Sequence, residues 1–265
     1  AKPLQAIPFA RVATRLGLGS AEVALACASH AGEADHVGAA ERILAAAGLG
    51  EDALLCGTHA PWGRNSVFTA ASARALHSNC SGCHAGLLAA CAVEGLDTAT
   101  YARPDHPLQR RLLGLARTAS GCDVQVGVDG CGLPTYHTPL AGLARAFQWL
   151  HRHEPGVLEA MAAHPFLVCG TGEFDTDLLL ATRGRVVGKF GALGVYAAVE
   201  RGSGAALAVR VTTANEVACQ AVAGRIMAAS GWLEPAAEAA LEPHLHLPVL
   251  NSLRVKVGDT EFRVP

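Results

Sequence analysis

The sequence predicts an α+β fold, a mixed α/β arrangement in which helices pack on an antiparallel sheet. Apolar residues recur at helical spacing through most of the first half, and strand-like alternation is concentrated in the second half. Of 265 residues, 51% are hydrophobic and 17% charged, which supplies a sizeable core and excludes intrinsic disorder. No internal repeat or low-complexity tract divides the chain, so 1–265 reads as a single domain.

The helical spacing runs through 3–16, 33–47, 84–94, 107–118, 138–150, 156–163 and 214–229. Gly48 and Gly50 punctuate the end of the second stretch, and Asp105-His106-Pro107 reads as a helix start with Pro in its first turn. Alternation marks strands at 123–128, 185–189, 193–199 and 205–211, the last two joined by the turn sequence ERGSG into a hairpin. The closing LRVKVGDTEFRV reads as another hairpin, with Gly258 and Asp259 at its turn. GTGEF at 170–174 follows no strand and lacks the dinucleotide fingerprint, so it reads as a loop.

Charge excludes more than it suggests. A formal charge of −2 and a pI near 6.7 give no electrostatic reason to expect nucleic acid or an anionic membrane. No window of ~18 uninterrupted apolar residues is present, as a spanning helix would need. Arg11 and Arg15 interrupt the first apolar stretch, unlike a signal peptide. Nine cysteines, an odd number without an export signal, point to a reducing cytoplasm. Aromatics are only 5%, so the core must be built from Ala, Leu and Val, and Cys27, Cys91, Cys169 and Cys219 in apolar runs read as small buried hydrophobes.

Cys80 and Cys83, in HSNCSGCHAG, have a spacing that lets two thiolates face one metal ion from a tight turn, with Gly82 permitting the reversal and His84 adjacent. The same spacing also serves redox dithiols and chance pairs. The helix after this turn points its positive dipole end at these thiols. Cys131, between glycines in VDGCGLPTY and beside Asp129, lies in a loop after a strand; a third thiol favours the metal reading, since three protein ligands and an open position are the catalytic zinc pattern. Ser29-His30 could place a nucleophile beside a base, although neighbouring residues on a helix do not face each other. Lys189 in VVGKFG is either the exposed side of a strand or a partly buried amine able to act as a base. His151/His153 and His244/His246 read as surface or interface histidines.

Taken in order, AKPLQA, ACASHAGEADHV, LLCGTHAP, SNCSGCHAGLL, DHPLQ, VDGCGLPTY and VVGKFGALGVY resemble the bacterial L-asparaginase II family of the Rhizobium etli type, from the first residue to VGDTEFRV. The resemblance implies a serine β-lactamase/glutaminase-like fold and hydrolysis of L-asparagine to aspartate and ammonia. It also implies two Ser–Lys pairs near a zinc ion. Lys2 matches the lysine of an S-x-x-K motif, and Ser29 with Lys189 matches the second pair. Cys80, Cys83 and Cys131 match the zinc ligands, and His30, His84 and Asp129 the neighbouring substrate-binding groups. A homodimer is the implied assembly.

This sequence departs from the family pattern in two places. The family's NCSGKH here carries Cys83 for the lysine, a softer ligand in place of a cation. The serine of S-x-x-K falls before Ala1, and two strands of the family's sheet are expected to be absent from this chain with it. Three readings are open. One is an asparaginase-type amidohydrolase, a second a truncated or non-catalytic zinc-binding relative, and a third a hydrolase using zinc-bound water on another amide.

Overall fold

A computed structural model describes residues 1–58, 60–62 and 73–261. His59 of LLCGTHAP, and residues 262–265 of the closing segment, lie outside the described residues.

The helical spacing over 3–16 resolves into three short pieces: α1 (Lys2–Gln5), α2 (Ile7–Ala10) and a 3-10 turn at Ala13–Leu16. Pro3 and Pro8 are the cause, since each lacks an amide donor and sits in the first turn of its own helix. A short helix, α3 (Ser20–Ala26), escapes the spacing, and α4 (Ala34–Ala46) runs as expected into Gly48 at φ +71°. Next come α5 (Ser81–Glu94), α6 (Pro107–Ser120), α7 (Leu140–His153), α8 (Pro155–Ala163) and α9 (Pro165–Val168). The last helices are α10 (Phe174–Ala181), α11 (Glu216–Ala229), α12 (Pro235–Ala240) and α13 (Glu242–Leu245). At the start of α6 the cap is His106, whose Nδ1 accepts from the Leu108 amide at 3.2 Å.

The strands form three small antiparallel sheets among the described residues: β1 (Gln125–Val128) with β2 (Pro134–His137); β3 (Val186–Gly191), β4 (Val195–Glu200) and β5 (Ala206–Arg210); and β6 (Pro248–Leu250) with β7 (Lys256–Asp259). The expected α+β class holds, with its sheet in three parts. ERGSG makes the β4–β5 turn because the Glu200 carboxylate accepts from the Gly202 and Ser203 amides and the Ser203 hydroxyl at 2.6–3.0 Å. The closing hairpin turns elsewhere than the sequence suggested. Gly258 and Asp259 lie inside β7, opposite Val249 and Pro248, and the turn is at 251–255. Asn251 directs it, its side-chain oxygen accepting from the Leu253 and Val255 amides at 3.0 Å.

One core brings together Ile7 and Phe9, Leu25, Ile43, Leu87 and Leu88, Leu108 and Leu112, and Met161. A smaller one joins Phe174 and Leu178 to Val186, Tyr196 and Met227. Cys27, Cys91, Cys169 and Cys219 are buried as the composition implied, and all nine thiols are free. Among the described residues no helix is long and apolar enough to cross a membrane.

The packing of α3 on α5 sets the loop carrying Ser29 against the turn carrying Cys80. A Cβ on Gly82 would stand 2.6 Å from both the Leu25 carbonyl oxygen and Leu25 Cγ, and one on Gly86 would stand 3.0 Å from Ala26 Cβ. Gly82 is therefore a contact glycine inside α5, which corrects its reading as the hinge of a turn. The missing side chains let two backbones meet closely, so α5 begins against the end of α3.

Candidate active site

Because α5 begins at Ser81, three residues earlier than its apolar spacing suggests, Cys80 is the N-cap and Cys83 stands within the first turn. Cys131 arrives from the β1–β2 hairpin, whose turn is closed by Asp129 N–H to Leu133 O at 2.8 Å and Gly132 N–H to Asp129 O at 2.9 Å. The hairpin brings the Cys131 thiol into a hydrogen bond with Cys80. That bond, together with the Lys2 ammonium, holds the Cys80 thiol well below the usual range despite burial. Cys131, on the donating side of the same bond and also buried, is pushed far up, so the pair shares one proton. Cys83 is pushed up to about 12 by burial and faces Gln5 Oε1, 4.0 Å from its sulfur.

Lys2 is the centre of this arrangement. Its Nζ donates to Ala28 O at 2.7 Å and to Asn79 O at 3.2 Å, and lies 3.2 Å from Cys80 Sγ. Burial works to lower its pKa, but Cys80, Cys83 and Cys131 outweigh burial and raise it. The depressed lysine expected of a serine-activating base is thus not what these thiols enforce at Lys2.

Ser29 follows Ala28 in the loop after α3 and is 6% exposed. The loop is pinned on both sides: His30 N–H donates to Asn79 O at 3.1 Å, Ala31 N–H to Cys169 O at 2.7 Å, and the Cys169 thiol to Ser29 O at 3.2 Å. The Ser29 hydroxyl itself has no hydrogen-bond partner among the described residues. His30 is wholly buried; Gly32 N–H donates to its Nδ1 at 3.1 Å, so its Nε2–H donates to Ser81 Oγ at 2.9 Å, and Ser81 donates on to Leu76 O. His30 therefore ties the Ser29 loop to the first turn of α5.

His84 also is wholly buried, and burial followed by the Lys2 charge lowers its pKa to about 3. Tyr101 accepts from the Leu55 amide at 3.0 Å and donates to His84 Nδ1 at 2.5 Å, which leaves the Nε2–H of His84 without a partner. Asp129 stands exposed at the hairpin tip, its Oδ1 accepting from Gly130 N–H at 2.7 Å.

Lys189 lies on β3 opposite Ala197 and is 6% exposed, which settles its two readings in favour of burial. Its Nζ donates to Asp175 Oδ2 at 2.6 Å and lies 3.6 Å from the Phe190 ring centre. The structure does not bring Lys189 into a hydrogen bond with Ser29; Cys169, which bonds the Ser29 carbonyl and feels the Lys189 charge, stands in their common neighbourhood. Asp175 was invisible to motif reasoning, because an acidic residue in a helix's first turn is ordinarily solvated. Tyr101, Gln5 and Asn79 were missed as well, each meeting the site only through the tertiary fold.

The three thiols offer the soft donors zinc prefers, and Cys80 is already drawn toward thiolate. With the Cys80 and Cys131 thiols hydrogen-bonded to each other and Cys83 turned to Gln5, no three His, Cys, Asp or Glu side chains among the described residues converge as a metal cage. The clefts of about 420 Å³ at Phe174/His244 and about 210 Å³ at Arg11/Glu154 are lined by none of these site residues.

A protein-family model described as L-asparaginase II matches residues 1–262. No individually curated protein matches the chain.

Proposed function

The chain belongs to the L-asparaginase II family, an asparaginase-type amidohydrolase family, and from that premise we propose that it hydrolyses the side-chain amide of L-asparagine to L-aspartate and ammonia. The observation that carries the proposal is the 2.7 Å bond from Lys2 to Ala28 O, which seats an ammonium one peptide unit from the unpartnered hydroxyl of Ser29.

In this reading Ser29 attacks the amide carbon while the Lys2 ammonium gives a proton to the departing nitrogen and takes the serine proton in its place, so that acyl-Ser29 and ammonia form and water then releases L-aspartate. Lys2, held charged beside the thiols, suits delivery of a proton to departing ammonia. Lys189 supplies the second positive charge of the Ser–Lys apparatus. Asp129 at the hairpin tip and the unpaired Nε2–H of His84 are the groups proposed to recognise the ammonium and carboxylate ends of the amino acid. His30, with both ring nitrogens engaged, serves by holding the serine loop.

Cys80, Cys83 and Cys131 are the residues that would hold zinc, as the donor chemistry supports. Bound there, zinc would neutralise thiolate charge and fasten the start of α5 to the hairpin. A cytoplasmic location fits nine unpaired thiols, and a homodimer remains part of the same reading.

The test is ammonia release from L-asparagine by the purified chain and by Ser29→Ala. Loss of about 100-fold or more in kcat supports a serine mechanism. Full activity in that variant overturns it. Metal analysis should find one zinc per chain; none, with Cys80 and Cys83 oxidised to a disulfide, removes the metal from the proposal.

A further inference from the structure

Of 21 basic residues in the chain, 18 are arginine and only three are lysine: Lys2, Lys189 and Lys256. Lys256 is exposed on the last hairpin, whereas the other two are sequestered in or beside the candidate site. An arginine carries its charge on a wide planar fork, while lysine presents a compact point charge that fits a single carboxylate oxygen. The surroundings of Lys189 are built to that measure.

Asp175 has no exposed surface, and its Oδ2 takes the Lys189 ammonium at 2.6 Å and the Phe190 amide at 3.2 Å. Its Oδ1 is buried, and beside this carboxylate lies the buried hydroxyl of Tyr196, whose pKa burial, the Asp175 charge and hydrogen bonding to Asp175 raise well above the usual range. A Cβ on Gly188 would stand 2.2 Å from that hydroxyl, so the glycine before Lys189 makes the room in which Tyr196 lies. The Phe190 ring covers the ammonium as well. Besides Asp175 on α10, the thiols that sense Lys189 are Cys169 after α9 and Cys27 at the end of α3, both raised by burial, and the Ala1 amino group feels its charge as well. Asp175 is thus the one carboxylate in hydrogen-bond contact with this charge among the described residues.

Burying such a pair is costly unless both charges are needed, and removal of one partner leaves the other uncompensated. We propose that Asp175 is the positioning residue for Lys189: through the ion pair it fixes the direction of the ammonium toward the Ser29 loop. The cation is then held as a charge and proton donor, and serine activation falls to another group. This inference rests on the amidohydrolase reading above and deepens it.

The test compares Asp175→Asn, Asp175→Glu and Lys189→Met in ammonia release from L-asparagine, beside the double variant Asp175→Asn/Lys189→Met. Asp175→Asn should lower kcat by about 100-fold with KM within about twofold, as a displaced catalytic group does. Asp175→Glu should recover part of the loss. In the Lys189→Met background the Asp175→Asn change should cost no further kcat, since Asp175 acts through the lysine; this arm decides the matter even if the single Asn variant folds poorly. A readout independent of turnover is the 15Nζ spectrum of lysine-labelled protein. One protected ammonium signal should vanish in both Lys189→Met and Asp175→Asn and persist in Asp175→Glu.

Equal, additive losses of kcat in the two backgrounds, or a signal unchanged by Asp175→Asn, overturn the assignment. A wild-type chain releasing no ammonia overturns the amidohydrolase reading instead, while an active wild type with an equally active Asp175→Asn variant overturns the role of Asp175 alone.

Discussion

The Lys2 ammonium lies 3.2 Å from the Cys80 sulfur while donating at 2.7 Å to the carbonyl of Ala28. One cation therefore serves two jobs, steadying a thiolate at the start of α5 and standing beside the serine loop. Lys2→Met should move Cys80 back toward the ordinary thiol range, because the hydrogen bond from Cys131 alone is left to offset burial. Ultraviolet thiolate absorbance of the metal-free protein across a pH titration, taken as the difference from Cys80→Ser, reads this directly. A titration in Lys2→Met that coincides with wild type would show that Lys2 is not what holds the thiolate.

Gly82 leaves less room than Gly86 where α5 meets α3, with Leu25 O and Leu25 Cγ both 2.6 Å from where a Cβ would be. One of those neighbours is backbone and cannot rotate away. Gly82→Ala should therefore cost about 1–3 kcal/mol although alanine is the better helix former. Gly86→Ala, meeting Ala26 Cβ at 3.0 Å, should cost less. Denaturant midpoints of the two variants check the order. A Gly82→Ala protein as stable as wild type would mean that the helices separate freely.

The site was legible where chemistry is local in sequence. Cys80 and Cys83 stand one helical turn apart and Cys131 lies in a Gly-flanked turn, so spacing alone pointed to them. Their partners were not legible, because Lys2 reaches Cys80 across 78 positions and Lys189 meets Asp175 only where α10 packs on β3. The α+β class followed from periodicity, but periodicity ignored Pro3 and Pro8 and so joined three short pieces into one helix. At the last hairpin the strongest turn signal by composition, Gly258-Asp259, lost to Asn251, whose side-chain oxygen captures two amides. Gly82 was read as a hinge because sequence does not show what faces a glycine.

Tyr101 is wholly buried, and its hydroxyl links Leu55 N–H to His84 Nδ1. Tyr101→Phe keeps the ring and removes both bonds, leaving a backbone donor and an imidazole nitrogen unsatisfied. The expected loss is about 1–3 kcal/mol in unfolding free energy. The freed imidazole should also lose its fixed orientation, so KM for L-asparagine should rise more than kcat falls if His84 contacts substrate. A KM unchanged in a folded Tyr101→Phe protein would remove His84 from substrate recognition.

His84 gives the chain a specific sensitivity to acid. Its pKa is lowered from 6.5 to about 3 by burial and by the Lys2 charge, so the folded protein keeps it neutral where the unfolded chain protonates it. Between those two values the unfolded state binds one more proton, and stability must fall as pH falls. The loss begins near the unfolded value and levels off near the folded one, with a ceiling on the order of 5 kcal/mol for this single group. His84→Gln has no such proton to take up. Its unfolding free energy should therefore decline less than that of wild type between pH 7 and pH 4, even if it is lower throughout. Urea unfolding at the two pH values gives four free energies, and the difference of differences isolates His84. Parallel declines in the two proteins would show that acid acts through other groups and that His84 is not kept neutral by its burial.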